Sequence, residues 1–234
     1  MAIRISKTSK LEGVFSWSLI ARATCPGSID DNGELVPVCA GCYAVGGNYR
    51  YPNVKAPREE NREDWKRDGW VADMVAAMAN MRYFRWFDSG DSYALALVKK
   101  IRQVITLTPW VAHWFPSKMY KFAKFAAEFA AIRALPNVAL RFSADTVDGT
   151  FTAGLHGSCV LPPANPGDKS SAAALVPAGV TECKAPSRGG KCGPCRACYD
   201  PTVPVIGYVA HGKPLLKQMR VASANLIAVT QVAA

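Results

Sequence analysis

The sequence predicts an α/β fold in which parallel strands are joined by crossover helices, followed by a cysteine-rich C-terminal module. Three observations carry this expectation. A strand-like run, a polar loop and a helical pattern recur at least three times in sequence, the signature of β-α-β units. Residue types able to do chemistry fall in the loops that follow the strands: Cys25, Cys39 and Cys42, then Asp88 and Asp91, then Pro116 and Ser117, then Asp145. Open and closed parallel sheets alike carry their sites there. From about Asp148 the helical periodicity vanishes and Gly, Pro, Ala and Ser become frequent.

Taken in order, Ala2–Ser6 and Val14–Ile20 read as short strands, the second rich in β-branched and aromatic residues. Asp30-Asp31-Asn32-Gly33 is a turn and Gly46–Tyr51 a loop. A helix is expected from about Val54 to Lys66, with Pro57 early, where proline is tolerated. Asp68-Gly69 breaks it. A second helix, Trp70–Met81, places Val71, Met74, Val75 and Met78 at helical spacing. Arg82–Phe87 is a buried strand, Tyr93–Thr106 a helix, Trp110–Phe115 a strand. Ser117 is placed to cap a long helix from Lys118 to Leu135. Val138–Ser143 is the fourth strand. Beyond it, Cys159–Leu161, Leu175-Val176 and Val203–Val209 are short strand candidates, and a helical stretch runs from about Pro214 to Ile227. The division expected is residues 1–150 as the strand–helix part and 151–234 as an irregular module whose last strand and helix close the same domain.

Half of the 234 residues are apolar, enough for a sizeable core. No charge-free apolar run reaches the roughly 18 residues of a membrane span, and the N-terminal residues lack the apolar core of a signal peptide. The expectation is a cytoplasmic protein whose thiols stay reduced. In that setting the eight cysteines point to metal binding more than to disulfides. The net charge of +10 is spread along the chain. It is compatible with a nucleic-acid partner or with a basic protein that has none.

The cysteines fall in two groups. Cys192-Gly-Pro-Cys195-Arg-Ala-Cys198 has the even spacing that places three thiolates around an iron–sulfur cubane, and Cys183 can supply a fourth. Structural zinc also takes four such ligands and is the alternative for this module. Cys25, Cys39 and Cys42 lie in the 36 residues from Ser16 to Tyr51, at the exit of a strand and ahead of a helix. Three thiolates on a four-iron cluster leave one iron open to a small molecule. Cys159 is a spare thiol able to complete either group.

The ordered set F-S-W-S-L, C-P-G, C-x2-C-Y-A-V-G-G-N-Y, R-W-F-D-S-G-D, N-V-A-L-R-F-S-A-D and C-x8-C-x2-C-x2-C resembles the bacteriophage gene product 88 domain family over roughly Trp17 to His211. That family in turn resembles reduced radical S-adenosylmethionine proteins. The resemblance implies a partial or distorted (β/α) TIM-like barrel, with Cys25, Cys39 and Cys42 holding a 4Fe-4S cluster at its mouth. It implies that Ser89-Gly90-Asp91 stands where a Gly-acidic motif holds the methionine amino group of S-adenosylmethionine, with Tyr43 beside the last cysteine. The sequence departs from the usual spacing: thirteen residues separate the first two cysteines, and Gly41 precedes the third. Read without the resemblance, Asp91 or Ser92 is a helix N-cap.

Among other candidates, His113 lies in a strand pattern and reads as a core or mouth histidine, and His211 ends a strand beside Gly212. Lys118, Lys121 and Lys124 form a stripe that reads as a solvated helix face or a phosphate contact. No nucleophile elbow, phosphate-binding Gly-rich loop or H-E-x-x-H helix occurs. The function expected is an iron–sulfur protein of a bacteriophage, with one or two clusters, doing redox or radical chemistry on a small molecule or nucleic-acid component in the host cytosol. Asp91, Ser89 and Asp145 are its candidate catalytic residues. The alternative is a zinc- or cluster-stabilised nucleic-acid-binding or structural protein without catalysis.

Overall fold

In a computed structural model, residues 3–151 and 156–220 are described. They form a mixed α/β unit around one eight-stranded sheet of order β1-β2-β3-β4-β5-β6-β8-β7. The strands are Ser6–Lys7, Phe15–Trp17, Tyr83–Trp86, Ala112–Ser117, Val138–Ser143, Gly157–Leu161, Val180–Glu182 and Val205–Val209, numbered β1 to β8 in chain order. The first pairs antiparallel with β2; every other pairing is parallel. The two outer strands, β1 and β7, do not pair with each other, so the sheet of the described residues is open.

After a short turn of helix, α1 (Pro37–Ala40), the crossovers are α2 (Pro52–Asp64) and α3 (Trp70–Ala77) between β2 and β3. Then come α4 (Leu95–Leu107) before β4 and α5 (Ala126–Arg133) before β5. A final helix, α6, covers 213–220. No helix among the described residues is long and apolar enough to cross a membrane.

Alternation along the central strands divides their side chains between two covered faces, as parallel strands require. Phe84, Trp86, Phe115, Val138 and Leu140 face the helices and pack with Trp70, Met74, Ile101 and Phe129. Trp17, Trp70 and Trp86 meet at ring separations of 5.4–6.4 Å. His113 belongs to this layer and is fully buried. Its Nδ1 accepts from Trp86 Nε1 at 3.2 Å, which leaves Nε2–H to donate to Thr108 Oγ1 at 2.9 Å. The Thr108 hydroxyl in turn donates to Val104 O at 2.7 Å. His113 is therefore a neutral core histidine. Burial pushes its pKa down to about 3.

The opposite face carries Tyr83, Arg85, Trp114, Arg141 and Tyr208. It is covered by the 3₁₀ turn Ser9–Leu11 and by the cysteine-rich stretch: Leu11, Val14, Trp114 and Tyr199 pack together, with Cys192 and Cys198 against them. Arg141 has no accessible surface. Its guanidinium donates to the carbonyls of Ala197, Cys198, Asp200, Val203 and Pro204 at 2.8–3.4 Å. One cation in the middle of β5 thereby organises eight residues that have almost no regular structure of their own.

The expected helix from Lys118 to Leu135 is broken. Two 3₁₀ turns, Met119–Lys121 and Ala123–Phe125, precede α5, and Phe122 between them is extended. The cause is tertiary. Lys118 and Lys121 both turn inward to Asp145, and Tyr120 stacks on Phe142 at 4.6 Å. Lys118 and Lys121 are thus drawn out of the expected solvated stripe while Lys124 stays exposed, and Ser117 ends β4 rather than capping a helix. Asp91 and Ser92 cap no helix either, since α4 begins at Leu95 with no side-chain cap. Leu175 is exposed instead of forming a strand, and the strand expected there lies at β7. The end of the expected last helix, beyond residue 220, falls outside the described residues.

Two outcomes follow. Between pH 6.5 and 3 the unfolded chain takes up a proton that folded His113 refuses, so this site loses stability as pH falls. From pH 7 to 4.5 its share amounts to a few kcal/mol, on the order of 2–3. Denaturant melts of the wild type and of His113→Asn should differ by that much in acid sensitivity; equal sensitivity refutes the assignment. Replacing Arg141 by Met strands the carbonyls of 197–204, and a loss of at least about 3 kcal/mol is expected. Limited proteolysis should then cut within 183–204 first, and an unchanged digestion pattern would count against this role.

Candidate metal centre

The loops leaving the C-terminal ends of β2 to β5 meet at one edge of the sheet. The exits of β2 and β3 are stitched together: Leu19 N donates to Ser89 O at 3.0 Å and Asp88 N to Ser18 Oγ at 2.9 Å. Between β3 and Asp88, Phe87 is buried at a φ of 53°. That conformation costs a side-chain-bearing residue about 1–2 kcal/mol, and it turns the chain sharply into the Asp88–Asp91 loop. Gly90 sits at φ +77°, and a Cβ there would lie 2.6 Å from Leu19 Cβ and 2.7 Å from Thr24 Oγ1. Glycine here lets the loop carrying Cys25 close onto the β3 exit.

Asp91 is buried and fully engaged. Its Oδ1 accepts from Ser117 Oγ at 2.8 Å and Ser92 N at 2.7 Å, and its Oδ2 from Lys118 N at 2.7 Å. Burial pushes the carboxyl up while these donors oppose the shift. Its present role is to bind the β3 exit to the β4 exit. Ser89 is likewise occupied, donating to Leu19 O and accepting from Arg58 Nε, each at 2.7 Å. Asp145, after β5, pairs with Lys118 at 3.0 Å and with Lys121. Lys121 also donates to Gly27 O at 2.9 Å, and Val38 N donates to Asp145 O at 3.0 Å. Both sides of the cysteine loop are therefore fastened to the β4 and β5 exits.

Cys25, Cys39 and Cys42 converge on this edge from that loop. None is in a disulfide, and each is partly buried. Cys25 feels both other thiols and Asp91; burial, then Asp91, pushes it up to about 12. Burial pushes Cys39 up to about 11, opposed by Lys118. Such thiols are neutral and poor nucleophiles. Gly41, between the last two, packs against α6: a Cβ would lie 2.9 Å from Leu215 Cα. Among the described residues no three His, Cys, Asp or Glu side chains are spaced to hold a bare metal ion. The donor set suits a soft, thiophilic centre, and the nearby Lys118 and Lys121 suit an anionic one.

Beside the thiols lies a polar cluster that the motifs did not reveal. Asp88 takes Arg85 at 2.7 Å and Arg58 at 3.5 Å, together with the Tyr49 hydroxyl. Tyr43, whose ring is exposed, donates to Asp88 O at 2.7 Å and accepts from Arg85 at 3.4 Å. The signal was present in the sequence: an arginine inside an otherwise apolar strand must find partners when buried.

The second cysteine group is held by other elements. Cys183 follows β7 and donates its N–H to Gly207 O at 2.8 Å; Cys192 N donates to Lys10 O at 3.1 Å. Cys198 Sγ lies 3.2 Å from the Tyr208 hydroxyl. Cys192 is within electrostatic reach of Cys183 and Cys195, and Cys198 of Cys183. Cys159 joins neither group in its packing; it is buried in β6 with Leu161 and Val205. His211 lies two residues beyond β8, with its Nδ1 3.0 Å from Val209 O.

No curated protein and no solved structure matches the chain. The family model described as gene product 88 matches residues 3–201, a span that takes in the first seven strands, both thiol groups and the Asp88–Asp91 loop. The chain belongs to the gene product 88 family.

Proposed function

We propose that this chain is an iron–sulfur protein whose principal centre is ligated by Cys25, Cys39 and Cys42, at the C-terminal edge of a parallel sheet curved like part of a (β/α) barrel. The observation that carries the reading is the convergence of three unpaired thiols after the first parallel strand. A cluster so held supplies one-electron chemistry and leaves one iron open, which is the requirement for radical-S-adenosylmethionine-like reactivity.

The chain's own residues have definable parts in this. Asp91 fixes the β3 and β4 exits relative to each other. Lys118 and Lys121, held by Asp145, place positive charge beside Cys39, which favours an anionic centre over a dication. The exposed Tyr43 ring next to Cys42 offers a flat wall for a small molecule. Asp91 and Ser89 act as positioning residues, since their hydrogen-bonding atoms are already committed within the fold.

Anaerobic reconstitution with ferrous iron and sulfide tests this. The protein should take up both, and Cys42→Ser should lower the iron content. After reduction, adding S-adenosylmethionine should alter the electron paramagnetic resonance spectrum, through the open iron. A protein that binds zinc alone and no sulfide sinks the proposal.

A further inference from the structure

A cavity of about 480 Å³ opens between β7, β8 and the cysteine-rich stretch. Cys183, Cys195 and Cys198 line it, with Ala197 and Ile206 as apolar wall. Lys184 and Arg188 stand on its rim. Cys192 lies within electrostatic reach of Cys183 and Cys195. Two of these four thiols come from segments far apart in the fold, one following β7 and one anchored to the N-terminal turn at Lys10. All are free.

From this geometry we infer that the cavity houses a second iron–sulfur centre, ligated by Cys183, Cys192, Cys195 and Cys198, and that Tyr208 tunes it by donating a hydrogen bond to the Cys198 sulfur. Three of the thiols line the hollow and the fourth, Cys192, lies within electrostatic reach of two of the set; the even spacing of Cys192, Cys195 and Cys198 suits a cubane better than zinc, which takes its cysteines in knuckle pairs. On the rim Lys184 is paired with Glu182, while Arg188, which donates to Cys192 O at 3.1 Å, offsets part of the charge of a four-thiolate cluster. Two further donors beside it, Tyr199 Oη and Arg196 Nε, are buried without a partner. Tyr199 lies within electrostatic reach of both Cys192 and Cys198. Buried donors left unpaired are costly, and anionic sulfur would satisfy them. A hydrogen bond to a ligating sulfur stabilises the reduced cluster and raises its potential.

The experiment uses the full chain, purified and reconstituted anaerobically with ferrous iron and sulfide. A Cys25→Ala/Cys39→Ala/Cys42→Ala variant removes the first centre. It should keep about half of the wild-type iron and sulfide, with a paramagnetic signal on reduction. Cys195 is the exposed member of the set, so Cys195→Ser, added to that background, is the mildest further change; it should abolish or reshape the signal. Tyr208→Phe in the wild-type chain should keep its iron while the potential of this centre moves negative. If the triple variant binds no iron, or binds only zinc, the second centre is refuted while the first stands. If it binds as much iron as the wild type, the first centre is the one that fails. An unchanged potential in Tyr208→Phe removes Tyr208 from the assignment.

Discussion

The carboxylate of Asp91 is the tie on which the thiol-bearing edge depends. A parallel sheet fixes its strands by backbone pairing, but the loops beyond the last pair are free to splay. Here one buried side chain takes donors from the β4 exit and from its own loop. The next residues of that exit, Lys118 and Lys121, then carry the connection to Asp145 beyond β5 and back to Gly27 in the cysteine loop. Charge alternates along this path, so each buried ion has an opposite or hydrogen-bonding neighbour. Buried charge survives only under that condition. The arrangement fastens the loops after β2, β3, β4 and β5 without using any of the thiols.

Much of this was legible. Strand and helix alternation is written in the apolar periods, and it located β3, β4, β5, β6 and β8 to within about two residues, whereas β7 lies about five residues beyond the place expected. The two cysteine groups were legible as groups because spacing alone brings Cys39 near Cys42 and Cys192 near Cys195. What was not legible came from contacts distant in sequence. The helix expected at Lys118 has good local propensity, and it breaks because two of its lysines are drawn to Asp145, more than twenty residues away. The Ser-Gly-Asp motif stood out as a ligand grip or a helix cap. Its serine and aspartate are spent on neighbouring loops, and its glycine makes room for Leu19.

The face of the sheet away from the helices shows how two loop systems come to share one surface. Arg85 reaches Asp88 and Tyr43 at one end and lies 4.3 Å from the Trp114 ring at the other. Trp114 stacks with Tyr208, whose hydroxyl meets Cys198. A continuous run of contacts thus joins the neighbourhood of Cys42 to that of Cys198 across the sheet. Arginine suits such a position because its planar group can stack and donate at once.

Arg141 has a consequence for the order in which the chain can be completed. Its partners lie 56 to 63 residues further on. While the protein emerges from a ribosome, β5 is made well before the carbonyls that will surround its cation. Until they arrive, the guanidinium must stay hydrated, and the adjoining face of the sheet cannot dry. The helix-covered layer can consolidate early, whereas the other layer waits for the nascent segment around Tyr199. The last quarter of the polypeptide is therefore no appendage: it supplies the solvent that a buried cation would otherwise lack.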